Sequence, residues 1–283
     1  MEQNSFSLKL PQSWQKLKLP SEIVEIINRA PSCIFPTTRE EILQAAMGGK
    51  TKGIFEVGYE IPGKGWHIEA TVSLCKNGLA VNYTEAYMRR RDPNCMLIGD
   101  DKPTDKARFE ECFSYKFASL RKETIEWLCG QKLIIMPFMA GSADNRNGYG
   151  ALLIAPANAS FFVGALGDMQ GMIPCDDITP DFNVKIVLYL APPFRHTHFN
   201  GKQIVVHNRL DTHYEIFSYN LYPGPSAKKG VYGALLSMGV EEGWPTLHGA
   251  CVQVVTPYKN IITILHESAS GGGKSETLEY PHR

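Results

Sequence analysis

No excess of charge, no paired cysteines and no long apolar run mark this 283-residue chain. Its 29 basic and 29 acidic side chains cancel, so nothing in the net charge points to a nucleic acid or a membrane surface. Any affinity for phosphate must therefore be built locally. The seven cysteines (Cys33, Cys75, Cys95, Cys112, Cys129, Cys175 and Cys251) stand singly, without a Cys-x-x-Cys pair. Such an odd, scattered set reads as reduced, buried thiols in a cytosolic protein. The stretch MEQNSFSLKLPQSWQKLKLP lacks the apolar core of a signal peptide. The runs LIIMPFMAG (133–141) and IVLYLAPPF (186–194) fall short of the roughly 20 residues of a membrane span, and both carry proline. Repeats and low-complexity tracts are absent too. A cytoplasmic location, with neither nucleic acid nor membrane as partner, is the expectation.

What is present is a globular composition, 43% hydrophobic and 20% charged. Helical spacing is predicted over 39–48 and 106–129. Short β-type runs recur at 67–75, 132–138, 151–155, 160–164, 184–190, 203–207, 214–219, 250–255 and 261–265. Turn signals such as Pro-Gly-Lys-Gly (62–65) and Pro-Gly-Pro-Ser (223–226) separate them. The predicted class is a mixed, strand-rich α/β protein with a boundary near 220–245.

The most informative segment is IITILHESASGGGKSETL, residues 261–278. An apolar β-branched run leads into a loop of small residues, and Lys274-Ser275 opens a helix-compatible stretch. A phosphate-binding P-loop needs this strand–loop–helix order: backbone N–H groups and a helix N-terminus cradle the phosphates, a lysine reaches the terminal one, and a hydroxyl ligates Mg²⁺. The pattern G-x-x-x-x-G-K-[ST] is met at Gly273-Lys274-Ser275, but Ser268 stands at its first glycine. Gly271, Gly272 and Gly273 keep the backbone free to approach a phosphate.

Three further segments carry candidate chemistry. Tyr222-Pro-Gly-Pro-Ser-Ala-Lys228-Lys229-Gly230 is a tight turn that delivers two lysines into a helix-like stretch. His248 starts a β run, and Arg89-Arg90-Arg91-Asp92-Pro93 sets three cations before a short strand. Each alone has a plain structural explanation: a solvated face, a hydrogen-bonded histidine, surface charge.

In this order, with the loop, the segments resemble the ATP-dependent phosphoenolpyruvate carboxykinases over residues 70–283. In that family a Tyr-x-Gly-Glu-Met-Lys-Lys-Gly segment precedes a histidine and then a Gly-x-Ser-Gly-x-Gly-Lys-Thr loop. Lys229 and His248 lie 19 positions apart, as the family spacing requires, and Ser270, Lys274 and Ser275 fall on its loop Ser, Lys and Thr. RRRDPNCMLIGDD (89–101) resembles its carboxylate-binding arginine stretch. Alignment to Asp100-Asp101 selects Arg90, and alignment to Pro93 selects Arg91. The chain departs from the pattern by an extra residue after Tyr222, by lacking the Glu-Met pair, and at Ser268. A related bacterial family of unassigned function would carry such departures. The Gly-Lys-Ser-Glu-Thr string (273–277) is also similar to HPr kinase/phosphorylase, whose substrate is a protein.

The resemblance implies a carboxykinase-like N-terminal α/β domain over 1–235 and the start of a P-loop nucleotide-binding domain over 236–283. It implies ATP or another nucleoside triphosphate held with Mg²⁺ by Ser270, Gly271, Gly272, Gly273, Lys274 and Ser275. It implies a second metal such as Mn²⁺ on Lys229 and His248, with Ser275 on the Mg²⁺. Lys229, His248, Ser270 and Lys274 are then the catalytic set. Arg90 or Arg91 would grip a small carboxylic acid, and Tyr222 would line its pocket. Because the family's further strands and its acidic metal ligand follow the loop, the chain is expected to form an incomplete and inactive N-terminal part, with the missing C-terminal portion as its partner. A non-catalytic phosphate-binding module is the reading from a different class.

Overall fold

A computed structural model describes residues 10–141, 148–247, 249–268, 272–274 and 276. The chain divides into two compact units, Met1–Leu235 and Leu236–Arg283. In chain order the helices are α1 (Ser21–Arg29), α2 (Arg39–Ala46), α3 (Phe109–Cys112), α4 (Phe117–Cys129), α5 (Ser160–Gln170), α6 (Phe194–Thr197) and α7 (Lys229–Glu241). The strands are β1 (Ser32–Ile34), β2 (Ile54–Ile61), β3 (Gly65–Cys75), β4 (Gly78–Tyr83), β5 (Met96–Ile98), β6 (Lys132–Gly141), β7 (Gly148–Pro156), β8 (Val184–Leu190), β9 (Val205–Arg209), β10 (Tyr214–Ser218), β11 (Gly249–Val255) and β12 (Ile261–Glu267).

The first unit is built on a seven-stranded mixed sheet in the order β1-β6-β7-β8-β10-β9-β5. Its centre, β7-β8-β10, is parallel, while the β6–β7 and β10–β9 pairs are antiparallel. Central strands of this kind are covered on both faces and so read as near-continuous apolar runs. Alternation along them divides the side chains between two layers. Leu133 and Ile135 of β6, Leu152 and Ile154 of β7, Val187 and Tyr189 of β8, and Phe217 of β10 join Ile23 and Ile26 of α1 and Leu120 and Leu128 of α4 in one buried cluster. Between them, Met136 turns to the other face, against Gly167 of α5, and α2 packs on α5. The architecture is mixed α/β with a large mixed sheet.

A smaller antiparallel sheet, β2-β3-β4, belongs to the same unit and carries a bulge at Val57/Gly58. Gly58 is required there, because a Cβ would lie 2.7 Å from the His67 carbonyl oxygen. The second unit contains the β11–β12 antiparallel hairpin, closed by a Thr256–Asn260 turn with Lys259 at φ 63°. Its β-branched side chains, Ile261, Ile262 and Ile264 among them, are exposed.

Several sequence expectations need correction. Residues 160–164 form the first turns of α5 rather than a strand. The Ser-Phe-Phe-Val run is buried all round, and a helix covered on every side needs no polar face to show its period. The long helix over 106–129 is two helices, α3 and α4, interrupted at Phe113–Lys116. The cysteines are free, but Cys75, Cys112 and Cys251 are exposed rather than buried. No helix among the described residues is long and apolar enough to cross a membrane.

One core group titrates unusually. His207 of β9 is buried, and its Nε2 lacks a hydrogen-bond partner. Burial, aided by the Arg209 cation, brings its pKa down to about 4 from the ordinary 6.5. An unfolded chain takes up this proton near 6.5, whereas the folded chain refuses it until about 4. The contribution is therefore complete above 6.5 and is lost as the pH falls to about 4, amounting to about 3 kcal/mol. Urea midpoints should fall across that window, and His207→Gln should remove this part of the slope. Identical slopes in the two proteins would contradict the assignment.

Candidate functional site

The loop segment comes first. Strand β12 ends at Glu267, and the backbone turns helical at Lys274 after a short connection. Gly273 sits at φ 76°, a conformation open to glycine and costly for residues with a Cβ. The Lys274 ammonium donates to the Ser268 carbonyl oxygen at 2.7 Å and lies 3.3 Å from the Ser268 hydroxyl. The lysine thus ties residue 274 to residue 268. Gly272 is exposed, and Ser270, Gly271, Ser275 and His248 lie outside the described residues.

The lysine turn belongs to the first unit. A single π turn, Gly224–Lys228, runs directly into α7, and its Ala227 carbonyl accepts from Gln170 of α5 at 3.0 Å. One-turn π segments concentrate at functional sites, because they redirect side chains without breaking the helix. Lys228 is exposed, while the Lys229 ammonium rests 5.4 Å from the centroid of the Tyr232 ring. Tyr222 meets Tyr83 edge to face at 5.9 Å.

The arginine segment is tied to the same ground through Tyr83. Arg89 donates from Nη2 to the Tyr83 carbonyl at 3.1 Å, and the Tyr83 hydroxyl donates to the Leu221 carbonyl at 2.9 Å. Arg90 and Arg91 are exposed and, with Tyr87, Asp92 and Pro93, line an open depression of about 360 Å³. The Arg90 carbonyl accepts from Gln203 Nε2 at 2.8 Å. Asp100, the alignment mark for Arg90, is held bidentately by Arg209, with Oδ1 2.7 Å from Nη2 and 3.0 Å from Nε. Burial works to raise this carboxyl, but the bonds from Arg209 outweigh it and hold it below the usual carboxylate range.

A second constellation carries no sequence motif. His67 and Glu69 are two apart on β3 and so share a face; Glu85 follows β4; Arg195 and His196 come from α6. Arg195 is fully buried and Glu69 almost so. The guanidinium grips Glu85 through both terminal nitrogens, at 2.7 and 3.2 Å, and donates to Glu69 Oε2 at 3.0 Å. It also bonds the Gly201 carbonyl, in a turn with Gly201 at φ 79°. Tyr59 donates its hydroxyl proton to Glu69 Oε2 at 2.6 Å. His67 Nε2 and His196 Nε2 each stand 3.2 Å from the same oxygen, and the two imidazole rings are 4.3 Å apart. Burial works to raise the Glu69 carboxyl, yet the bond from His196, the Arg195 charge and the Tyr59 bond bring it down to about 2. Burial and the neighbouring His196 push His67 below its ordinary value. The only hint in the sequence is the alternation in His67-x-Glu69, since Glu85 and Arg195-His196 are brought in by tertiary folding.

Residues 19–283 match the family described as Domain of unknown function (DUF4914). The chain belongs to this family. No curated protein matches it.

The buried cation makes the ion network asymmetric. Removing Arg195 strands the Glu69 charge inside, so Arg195→Met should cost about 3–5 kcal/mol in urea denaturation at neutral pH. Glu85 is 40% exposed on its side chain, and Arg195 keeps Glu69 when Glu85 is lost. Glu85→Gln should therefore cost about 1 kcal/mol or less. Equal losses would show that the network is not centred on Glu69.

Proposed function

We propose that the protein is a P-loop phosphotransferase of the carboxykinase type, binding a nucleoside triphosphate and a small carboxylic acid. The observation that carries the proposal is the end of β12. An apolar strand enters a glycine loop with a positive-φ Gly273, and the backbone turns helical at a lysine whose ammonium faces back across the loop to Ser268. A backbone of this kind can present N–H groups to a phosphate, and the lysine can exchange a carbonyl partner for a phosphate oxygen.

Phosphoryl transfer asks for positioning and charge neutralisation more than for covalent help. Lys274 and the loop amides of residues 270–275 would neutralise the γ-phosphate and hold it in line. Ser275 would ligate Mg²⁺, which when bound spreads the charge of the phosphate oxygens. Arg90 or Arg91 would hold the substrate carboxylate by two parallel hydrogen bonds. Both are exposed, and the Arg91 side chain neighbours the Cys95 thiol, so a guanidinium here is within reach of solvent and of a ligand. Tyr222, fixed against Tyr83, would wall the acid's pocket. The family resemblance assigns a second metal to Lys229 and His248. For Lys229 that role requires leaving its place over Tyr232.

Calorimetry with ATP·Mg²⁺ tests the loop. Binding should be measurable in the wild type, and Lys274→Ala should weaken it by about tenfold or more, equivalent to about 1.4 kcal/mol. Arg90→Ala and Arg91→Ala should leave ATP binding unchanged, and one of them should weaken binding of a dicarboxylate such as oxaloacetate. ATP binding that survives Lys274→Ala intact would overturn the proposal.

A further inference from the structure

The geometry points to a divalent transition-metal site at His67, Glu69, Glu85 and His196, separate from the phosphate loop. One ligand atom from each of these four residues lies within 4.8 Å of every other. Nitrogen and oxygen ligands at about 2.0–2.2 Å from a tetrahedral ion are about 3.3–3.6 Å from one another. The separations between donor atoms bracket that figure: 3.2 Å from His67 Nε2 to Glu69 Oε2, 3.2 Å from His196 Nε2 to the same oxygen, and 3.8 Å from His67 Nε2 to Glu85 Oε1.

Hydrogen-bond counting supports a cation. Glu69 Oε2 already accepts from Tyr59 and Arg195, which satisfies it. Two further imidazole nitrogens at 3.2 Å would make four donors on one oxygen if each carried a proton. Meanwhile Glu69 Oε1 and His67 Nε2 are buried atoms with no hydrogen-bond partner. Glu69 Oε1 does lie 3.0 Å from Arg195 Nη2, but that guanidinium nitrogen is directed to other acceptors. An imidazole that turns a lone pair rather than an N–H inward has nothing to bind in the present set except a cation. The charge agrees. Two carboxylates stand against one guanidinium in the cluster.

Tyr59 and Arg195 would then stand behind the ligands, orienting the carboxylates as outer-shell partners do at metal centres. Mixed imidazole and carboxylate donors suit Mn²⁺, Fe²⁺, Co²⁺ or Zn²⁺ rather than Ca²⁺ or Cu⁺. His67 and Glu85 are partly exposed, so an ion can reach the site without the sheet opening. The rival is a metal-free ion network in which Arg195 is the sole counterion.

The test uses the full-length, EDTA-treated protein titrated with Co²⁺ and followed by visible absorption. Saturation of one Co²⁺ at this cluster is expected, without the strong charge-transfer band that thiolate ligands give. His67→Gln and His196→Gln should each weaken this binding by about 100-fold. Lys274→Ala should leave it unchanged, which keeps the result independent of the phosphate loop. Circular dichroism reports folding, and if His196→Gln does not fold, His67→Gln on its partly exposed strand decides. Absence of saturable Co²⁺ binding, or wild-type affinity in His67→Gln, would overturn the inference in favour of the metal-free network.

Discussion

The structure of the first unit turns on one buried cation. Arg195 comes from α6, directly after β8 of the large sheet, and Glu69 comes from β3 of the small one. A guanidinium with no exposure to water has lost its hydration and can persist only where several acceptors replace it. Glu69, Glu85 and the Gly201 carbonyl are those acceptors. The requirement fixes how the two sheets meet, since Glu69 cannot withdraw without leaving a charge inside. Tyr59, His67 and His196 gather around the same carboxylate for the same reason. Apolar burial supplies most of the driving force, but it is non-directional. The ion network supplies the direction.

A second charged group lies along the large sheet. Glu215 of β10 is buried and receives Arg121 of α4 through two bonds of 2.7 Å and Asn208 of β9 at 2.6 Å. Asp100 and Arg209 repeat the arrangement beyond β5. Burial opposes ionisation in each of these carboxyls; the bonds from His213 and Arg121 overcome it at Glu215, and those from Arg209 at Asp100. The segment from β5 to β10 is therefore held by charge pairs at its edge and by aromatic packing at its centre, where Phe217 stacks on Tyr189 at 4.8 Å. Such a frame leaves the Arg90–Pro93 loop and the Tyr222 turn as its surface features, joined through Tyr83.

The degree to which the sequence revealed this differs by element, for physical reasons. Strands β6, β8 and β10 were legible because strands of a covered sheet are apolar throughout and bounded by turn residues, and β12 because its run is β-branched although exposed. Helix α5 was not, because its first turns carry the same Phe-Phe-Val composition and no polar face. Strands β2 and β4 escaped notice, their burial being interrupted along the length by exposed positions. The break between α3 and α4 falls at Phe113–Lys116, where Phe113 and Tyr115 bury their rings against Phe109 at the expense of helical continuity. Among candidate site residues, those inside a local pattern could be found from their neighbours: the loop glycines, Lys274 and the lysine turn. The His67–Glu69–Glu85–Arg195–His196 cluster spans remote segments, and its members meet only because β3 and α6 do.

The two constellations place contrasting demands on their surroundings. A phosphate cradle is made largely of backbone, so it tolerates Ser268 at a glycine position as long as Gly273 keeps its φ of 76°. Its lysine must exchange partners, the Ser268 carbonyl and hydroxyl among them, for a phosphate oxygen. The His–Glu cluster is made of side chains, with Glu69 and Glu85 held by Tyr59 and Arg195. Pre-set donors lower the entropic cost of binding an ion but cannot adapt to one of the wrong size. On the two proposals, adaptable binding at the loop would rest on glycine and pre-set binding at the cluster on a buried arginine.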